Sequence, residues 1–177
     1  MNAATVTEAE LREALLGQKI LHLRSDSAEE TRGLATKLAG LLEQRQIVLL
    51  FGNLGSGKTT FVKGICAALG VPDKVTSPTF TIMHLYRGAE ITIYHFDFYR
   101  LESWRDIAAL GVEEYFDGDG ICLIEWPERV LPLLPSAWSS RTATPVAMQQ
   151  VVRVQLTLPE QLQQPDVRLI EISRRAA

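Results

Sequence analysis

Runs of basic residues are missing from this chain. Its 18 lysines and arginines face 21 acids, for a formal net charge of −3, and no cationic stripe emerges from their spacing. Autonomous binding of RNA or DNA therefore lacks its electrostatic footprint, and a partner would have to supply most phosphate contacts. Long apolar runs are missing too: none approaches the ~18–20 residues of a membrane-spanning helix. Met1-Asn2-Ala3-Ala4-Thr5 has neither the basic region nor the apolar core of a secretory signal. Only two cysteines occur, Cys66 and Cys122. Both read as small buried hydrophobes in a reducing, cytoplasmic setting rather than as a disulfide framework. Asn-Lys-x-Asp is absent, which disfavours a regulatory GTPase, and so is the set of protein-kinase motifs. There is no internal repeat and no low-complexity tract.

What is present is Gly52-Asn53-Leu54-Gly55-Ser56-Gly57-Lys58-Thr59. It fits G-x-x-x-x-G-K-[ST], the phosphate-binding loop, and its surroundings fit as well. Ile47-Val48-Leu49-Leu50-Phe51 enters it as a continuous apolar strand, and Thr59 to Cys66 leaves it with helical patterning. Strand, glycine loop and helix are the order the chemistry requires. The glycines let successive N–H groups turn toward phosphate oxygens, and the helix N-terminus adds favourable partial charge. Lys58 is expected to reach the β- and γ-phosphates and Thr59 to coordinate magnesium.

The rest of the pattern predicts an α/β fold. Capping boxes at Thr7-Glu8-Ala9-Glu10 and Ser27-Ala28-Glu29-Glu30 open two helices. The first, within residues 1–17, reads as a peripheral extension. Strands are expected at 19–24, 80–86, 91–96 and 121–124, with 87–90 joining two of them as a hairpin. A helix is expected from Trp104 to Leu110, stopped by Gly111. Residues 134–150, rich in proline and serine nearby, read as a long loop. Residues 151–158 and 167–172 complete the strands, the first alternating as a half-solvated strand should. Together these predict one domain over 1–177, a P-loop NTPase-like unit. Its mixed central sheet is flanked by helices and has an antiparallel C-terminal portion.

Two apolar strands end in acids, at Asp97 and Glu125. Ligands in open α/β sheets bind at the carboxyl ends of strands, so both acids can lie near the phosphates. Glu125 is expected on magnesium, directly or through water, and Asp97 as a water-positioning or outer metal-sphere residue. Otherwise they are strand-end turn residues. Thr79, with Ser77 and Thr81, fits a γ-phosphate sensor or an ordinary turn. His95 has no partners at ligand spacing and reads as a core or near-site hydrogen-bonding histidine. Trp126 is expected beside the nucleotide, or in ordinary packing. Arg100, Arg105, Arg129 and Arg141 are candidate phosphate clamps that spacing does not single out.

Four motifs in order carry a resemblance. They are residues 52–61, Ser-Pro-Thr-Phe-Thr at 77–81, Tyr-His-Phe-Asp-Phe-Tyr-Arg at 94–100, and Ile-Cys-Leu-Ile-Glu-Trp-Pro-Glu at 121–128. The stretch Gly111 to Phe116 also fits. Over roughly Ser27 to Glu128 the chain resembles the bacterial TsaE (YjeE) ATPases of tRNA threonylcarbamoyladenosine (t6A) biosynthesis. The resemblance implies a magnesium-dependent ATPase, weak alone, that acts with the TsaB–TsaD pair. That pair modifies adenosine 37 of tRNAs reading ANN codons, and tRNA would be met only through these partners. It maps ATP contacts to Leu54, Gly55, Ser56, Gly57, Lys58, Thr59 and Thr60, and magnesium to Thr59 and Glu125. The catalytic set becomes Lys58, Asp97 and Glu125, the switch threonine Thr79, and the tryptophan beside the glutamate Trp126. Part of the base contact would fall near Glu29. Two other functions fit the same phosphate loop: a small-molecule kinase, and a non-catalytic module whose docking is gated by nucleotide.

Overall fold

The strand Ile47–Phe51 is apolar at every position because both of its faces are covered. Val48 and Leu50 enter one buried cluster, while Ile47, Leu49 and Phe51 enter another. The computed structural model describes residues 1–133, 151–159 and 164–174. Along the chain these form α1 (Glu8–Leu15), β1 (Leu21–Ser25), α2 (Ala28–Ala39), β2 (Ile47–Phe51), α3 (Lys58–Ala68), β3 (Met83–Arg87), β4 (Thr92–Asp97), α4 (Trp104–Ala108), α5 (Glu113–Phe116), β5 (Ile121–Glu125), β6 (Val151–Thr157) and β7 (Arg168–Ser173). The strands make one sheet in the order β1-β7-β6-β2-β5-β4-β3. The central pairs β6/β2, β2/β5 and β5/β4 are parallel. The outer pairs β1/β7, β7/β6 and β4/β3 are antiparallel. This is the expected mixed sheet, with helices on both faces and an antiparallel C-terminal strand.

Helices α1, α2 and α3 share the first cluster, through Leu11, Leu34, Leu38, Phe61 and Ile65 among others. Ile107 of α4 and Phe116 of α5 join the second, around Phe96 and Phe98. Cys66 and Cys122 lie in different clusters, on opposite faces of the sheet, and are free thiols. Burial pushes each up to about 12, so both remain protonated and inert. Among the described residues, no helix is long and apolar enough to cross a membrane.

Several expectations need correction. Residues 1–17 are not peripheral. Ala3, Val6, Leu11, Ala14 and Leu15 are buried in the first cluster. The Lys37 ammonium donates to Ala4 O (2.8 Å) and Val6 O (3.0 Å), while Ala3 N–H bonds Arg24 O beside β1. Thr7 closes the expected capping box. Ser27 closes only half of one: its hydroxyl accepts from Glu30 N–H, but the Glu30 carboxylate turns to Asp26 N–H instead. The strand expected from residue 80 starts at Met83, because Thr81 and Ile82 N–H both bond Pro78 O and Ile82 takes a left-handed φ of 68°. β6 lies inside the sheet between β7 and β2, and only Thr157 is exposed. Helix α5 was not anticipated; four residues are too few to show a period. The long loop expected at 134–150 lies outside the described residues.

Helices α2 and α3 come close at Gly64 of α3. A β-carbon there would stand 2.5 Å from Arg32 O and 2.7 Å from Ala35 Cβ. Thr36 Oγ1 also donates to Gly64 O (3.3 Å) across this contact. Gly64→Val is expected to lower stability by about 1–3 kcal/mol through overpacking against backbone that cannot yield. Thermal melting checks this against Gly33→Ala, whose added methyl meets nothing within 4 Å and which should be neutral or mildly stabilising.

Candidate functional site

The loop between β2 and α3 depends on glycine at two points. Gly52 has φ 136°, and a β-carbon there would lie 2.3 Å from Leu156 O on β6. Gly57, at φ 102°, occupies the N-cap of α3 and offers no side-chain cap, whereas Thr7 and Ser27 cap α1 and α2. The first N–H of α3 to close a helical bond is that of Phe61, to Gly57 O (2.9 Å). The N–H groups of Lys58, Thr59 and Thr60 therefore have no acceptor in their own helix, which leaves donors and positive partial charge for an anion. Beside them opens a cavity of about 370 Å³, within the size range of small-molecule sites.

Lys58 is 4 % exposed. Its ammonium donates to Gly52 O (2.6 Å) and Asn53 O (3.0 Å) and lies 4.1 Å from the centre of the Trp126 ring. Burial pulls this group below its ordinary value of 10.5, while Glu125, Asp97 and Glu128 act in the opposite direction. A buried ammonium held by two carbonyls and an aromatic face is a cation in want of a better anion.

The two acids meet through the sheet. β4 and β5 run parallel with Asp97 opposite Glu125, so both end at the carboxyl edge beside the loop. Each is 3 % exposed. Thr59 Oγ1 donates to Glu125 Oε1 (2.8 Å), joining residues 66 apart in sequence. His95 Nε2 reaches the same oxygen at 3.0 Å. A carboxylate can only accept, so the imidazole donates from Nε2. Glu125 Oε2 has no hydrogen-bond partner among the described residues and Glu125 lines the cavity; hydroxyl and carboxylate oxygens are donors of the kind a hard cation takes. Asp97 Oδ2 accepts from Ser77 Oγ and Thr79 Oγ1, both at 2.6 Å, and Oδ1 accepts Tyr99 N–H (3.0 Å). The Ser77 and Thr79 hydroxyls thus close a long-range contact to the end of β4, which an ordinary turn does not require.

Trp126 adopts a left-handed φ of 59° directly after β5, and its ring packs 4.9 Å from Tyr99 at the cavity wall. Gly55, Gly57, Thr60 and Thr79 also line the cavity. Leu54 lines it too but is largely exposed at the loop tip, and Ser56 is buried beneath the loop. Four expected residues fall elsewhere. Arg100 lies over Phe80 and Arg105 over Trp104, and the exposed Glu29 does not line the cavity. Arg129 borders a neighbouring cleft, and Arg141 lies outside the described residues.

Sequence reasoning missed Arg168. From the first position of β7 its guanidinium donates to Ser56 O (2.9 Å) and Gly55 O (3.2 Å), and also to Pro165 O and Val167 O. It thereby ties two carbonyls of the loop to β7. No local pattern marks it, since its contact spans 112 residues.

A sequence model of the family described as "Threonylcarbamoyl adenosine biosynthesis protein TsaE" matches residues 25–156. Among similar proteins is a "tRNA threonylcarbamoyladenosine biosynthesis protein TsaE" of Treponema pallidum, 46% identical over 111 residues, 63% of this chain and 82% of that protein. A Bacillus subtilis protein of the same description is 41% identical over 117 residues, 66% of this chain and 73% of the relative. The crystal structure of Bacillus subtilis YdiB superposes with a TM-score of 0.66 at 30% identity, over 87% of this chain and 84% of that one.

Arg168→Met removes the bonds that tie the loop to β7. A hydrogen bond to a charged donor contributes about 1.5–3 kcal/mol, so amide exchange at residues 54–57 should quicken at least about tenfold, while β2 and the body of α3 stay protected. Hydrogen–deuterium exchange followed by mass spectrometry reads this directly.

Proposed function

Because the chain belongs to the TsaE family, we propose that it binds ATP with magnesium in the 52–59 loop as one domain and hydrolyses it slowly. This activity would support t6A formation by TsaB–TsaD in the cytoplasm. The hydrogen bond from Thr59 to Glu125 carries this reading, because it brings the loop hydroxyl and the strand-end acid to one point. The Thr59 hydroxyl and the Glu125 carboxylate would hold Mg2+, which when bound would neutralise phosphate charge. Lys58, held now by two carbonyls, would pair with phosphate oxygens. The first-turn amides of α3 would hold the phosphates, and Asp97 would release Ser77 and Thr79 to them or orient water. Among the described residues, no arginine lines the cavity other than Arg168, which is engaged by carbonyls. An unassisted site of this kind should be slow, and a partner is expected to complete it. The net charge of −3 agrees with tRNA being held by the partners.

One observation favours a second reading. Asp97 already spends both oxygens on Ser77, Thr79 and Tyr99, which suits a segment released by nucleotide to dock a partner. Glu125→Gln separates the two. If hydrolysis is essential, this variant still joins TsaB–TsaD with ATP but fails to sustain repeated rounds of t6A formation. If docking suffices, it sustains them. Reconstituted modification with purified components reports both. ATPase activity that does not rise on adding TsaB–TsaD contradicts the primary reading.

The lysine gives a pH test. Its value is depressed in the free protein, and phosphate contacts raise it, so binding takes up a proton in the interval between the two values. Affinity for ATP should therefore fall as pH rises through the free-state value of Lys58. Lys58→Arg, which stays charged, should flatten that dependence. Lys58→Ala should weaken binding at least about tenfold at neutral pH. Trp126 emission follows the titration, with Trp126→Phe as the silent control.

A further inference from the structure

His95 is fully buried. Its Nε2–H bonds Glu125 Oε1, but its Nδ1 has no partner among the described residues. A buried polar atom left unpaired is costly, so an apolar side chain would serve packing better at this position. The ring is held in place: it lies opposite His84 in the β3/β4 register and stacks on Tyr86 with centroids 6.3 Å apart. The Tyr86 hydroxyl in turn contacts His84 Nδ1 and Thr76 O. A fixed ring with one directed donor has one beneficiary here, the glutamate.

We propose that His95 is a positioning residue, whose Nε2–H and Thr59 Oγ1 together hold Glu125 Oε1 so that Oε2 remains free for a divalent cation. The inference rests on the nucleotide reading above. Outer contacts of this kind typically change metal affinity 10–100-fold when removed. His95 does not touch the cation or the phosphates; it acts through the acid.

The test uses Mn2+ as an electron paramagnetic probe, titrated into the full chain saturated with a non-hydrolysable ATP analogue. His95→Gln carries an amide nitrogen where Nε2 stood, while His95→Asn carries one nearer Nδ1 and cannot reach Glu125. The Gln variant should bind Mn2+ within about twofold of the unaltered chain and the Asn variant about tenfold more weakly, with metal-free nucleotide binding equal in all three. An Asn variant that matches the unaltered chain overturns the proposal, and so does a Gln variant as weak as Asn. If either folds poorly, a double-mutant cycle with Glu125→Gln on the thermal midpoint decides: coupling supports the proposal and additivity overturns it. No nucleotide-dependent Mn2+ site in the unaltered chain would instead bring down the nucleotide reading, and this inference with it.

Discussion

The structure turns on the hydrogen bond between the Thr59 hydroxyl and the Glu125 carboxylate. It is short and charge-assisted, and nearly dry, the kind of contact that contributes about 1.5–3 kcal/mol. It also imposes geometry. A helix must begin where a strand five elements further along the chain ends, and both ends must sit at one edge of the sheet. Parallel pairing of β2 with β5 supplies that edge. β4, parallel on the far side of β5, adds Asp97 in register with Glu125.

Charge explains why the rest of the site is arranged as it is. Two carboxylates and one ammonium lie buried beside the same cavity. Every one of them is engaged: Lys58 with carbonyls and an indole, Asp97 with two hydroxyls and an amide, Glu125 with a hydroxyl and an imidazole. Such partners compensate the loss of water without neutralising the charges. A metal-bound polyphosphate would do more, because it offers an anion to the lysine and a cation to the acids at once. The Arg168 guanidinium, spread over four carbonyls with no carboxylate among the described residues, adds positive charge on the loop side.

The phosphate loop was legible because its chemistry is local: three glycines, a lysine and a threonine within eight residues, between a strand and a helix whose periods are clear. Asp97 and Glu125 were legible as acids ending apolar strands, since the end of a parallel strand has a fixed meaning in this class of sheet. Arg168 was not, because its acceptors are backbone carbonyls more than a hundred residues away, and carbonyls leave no mark in a sequence. The N-terminal segment misled for a related reason. Thr7 and Glu10 advertise a helix, but whether that helix packs depends on the face offered by α2 and β7, which its own residues do not encode. The turn at Ile82 overrode β propensity because two N–H groups converge on Pro78 O. Four family motifs in order carried the functional reading further than any single residue did, and the family match covers all of them.

The most direct measurement is a crystal structure with Mg2+ and a non-hydrolysable ATP analogue. The account predicts triphosphate in the cup of residues 52–59, the Lys58 ammonium moved from Gly52 O and Asn53 O to phosphate oxygens, and the ion between Thr59 Oγ1 and the Glu125 carboxylate, directly or through one water. A nucleotide bound elsewhere, or an ion in the cup with Glu125 turned away and Lys58 still on its carbonyls, would contradict it.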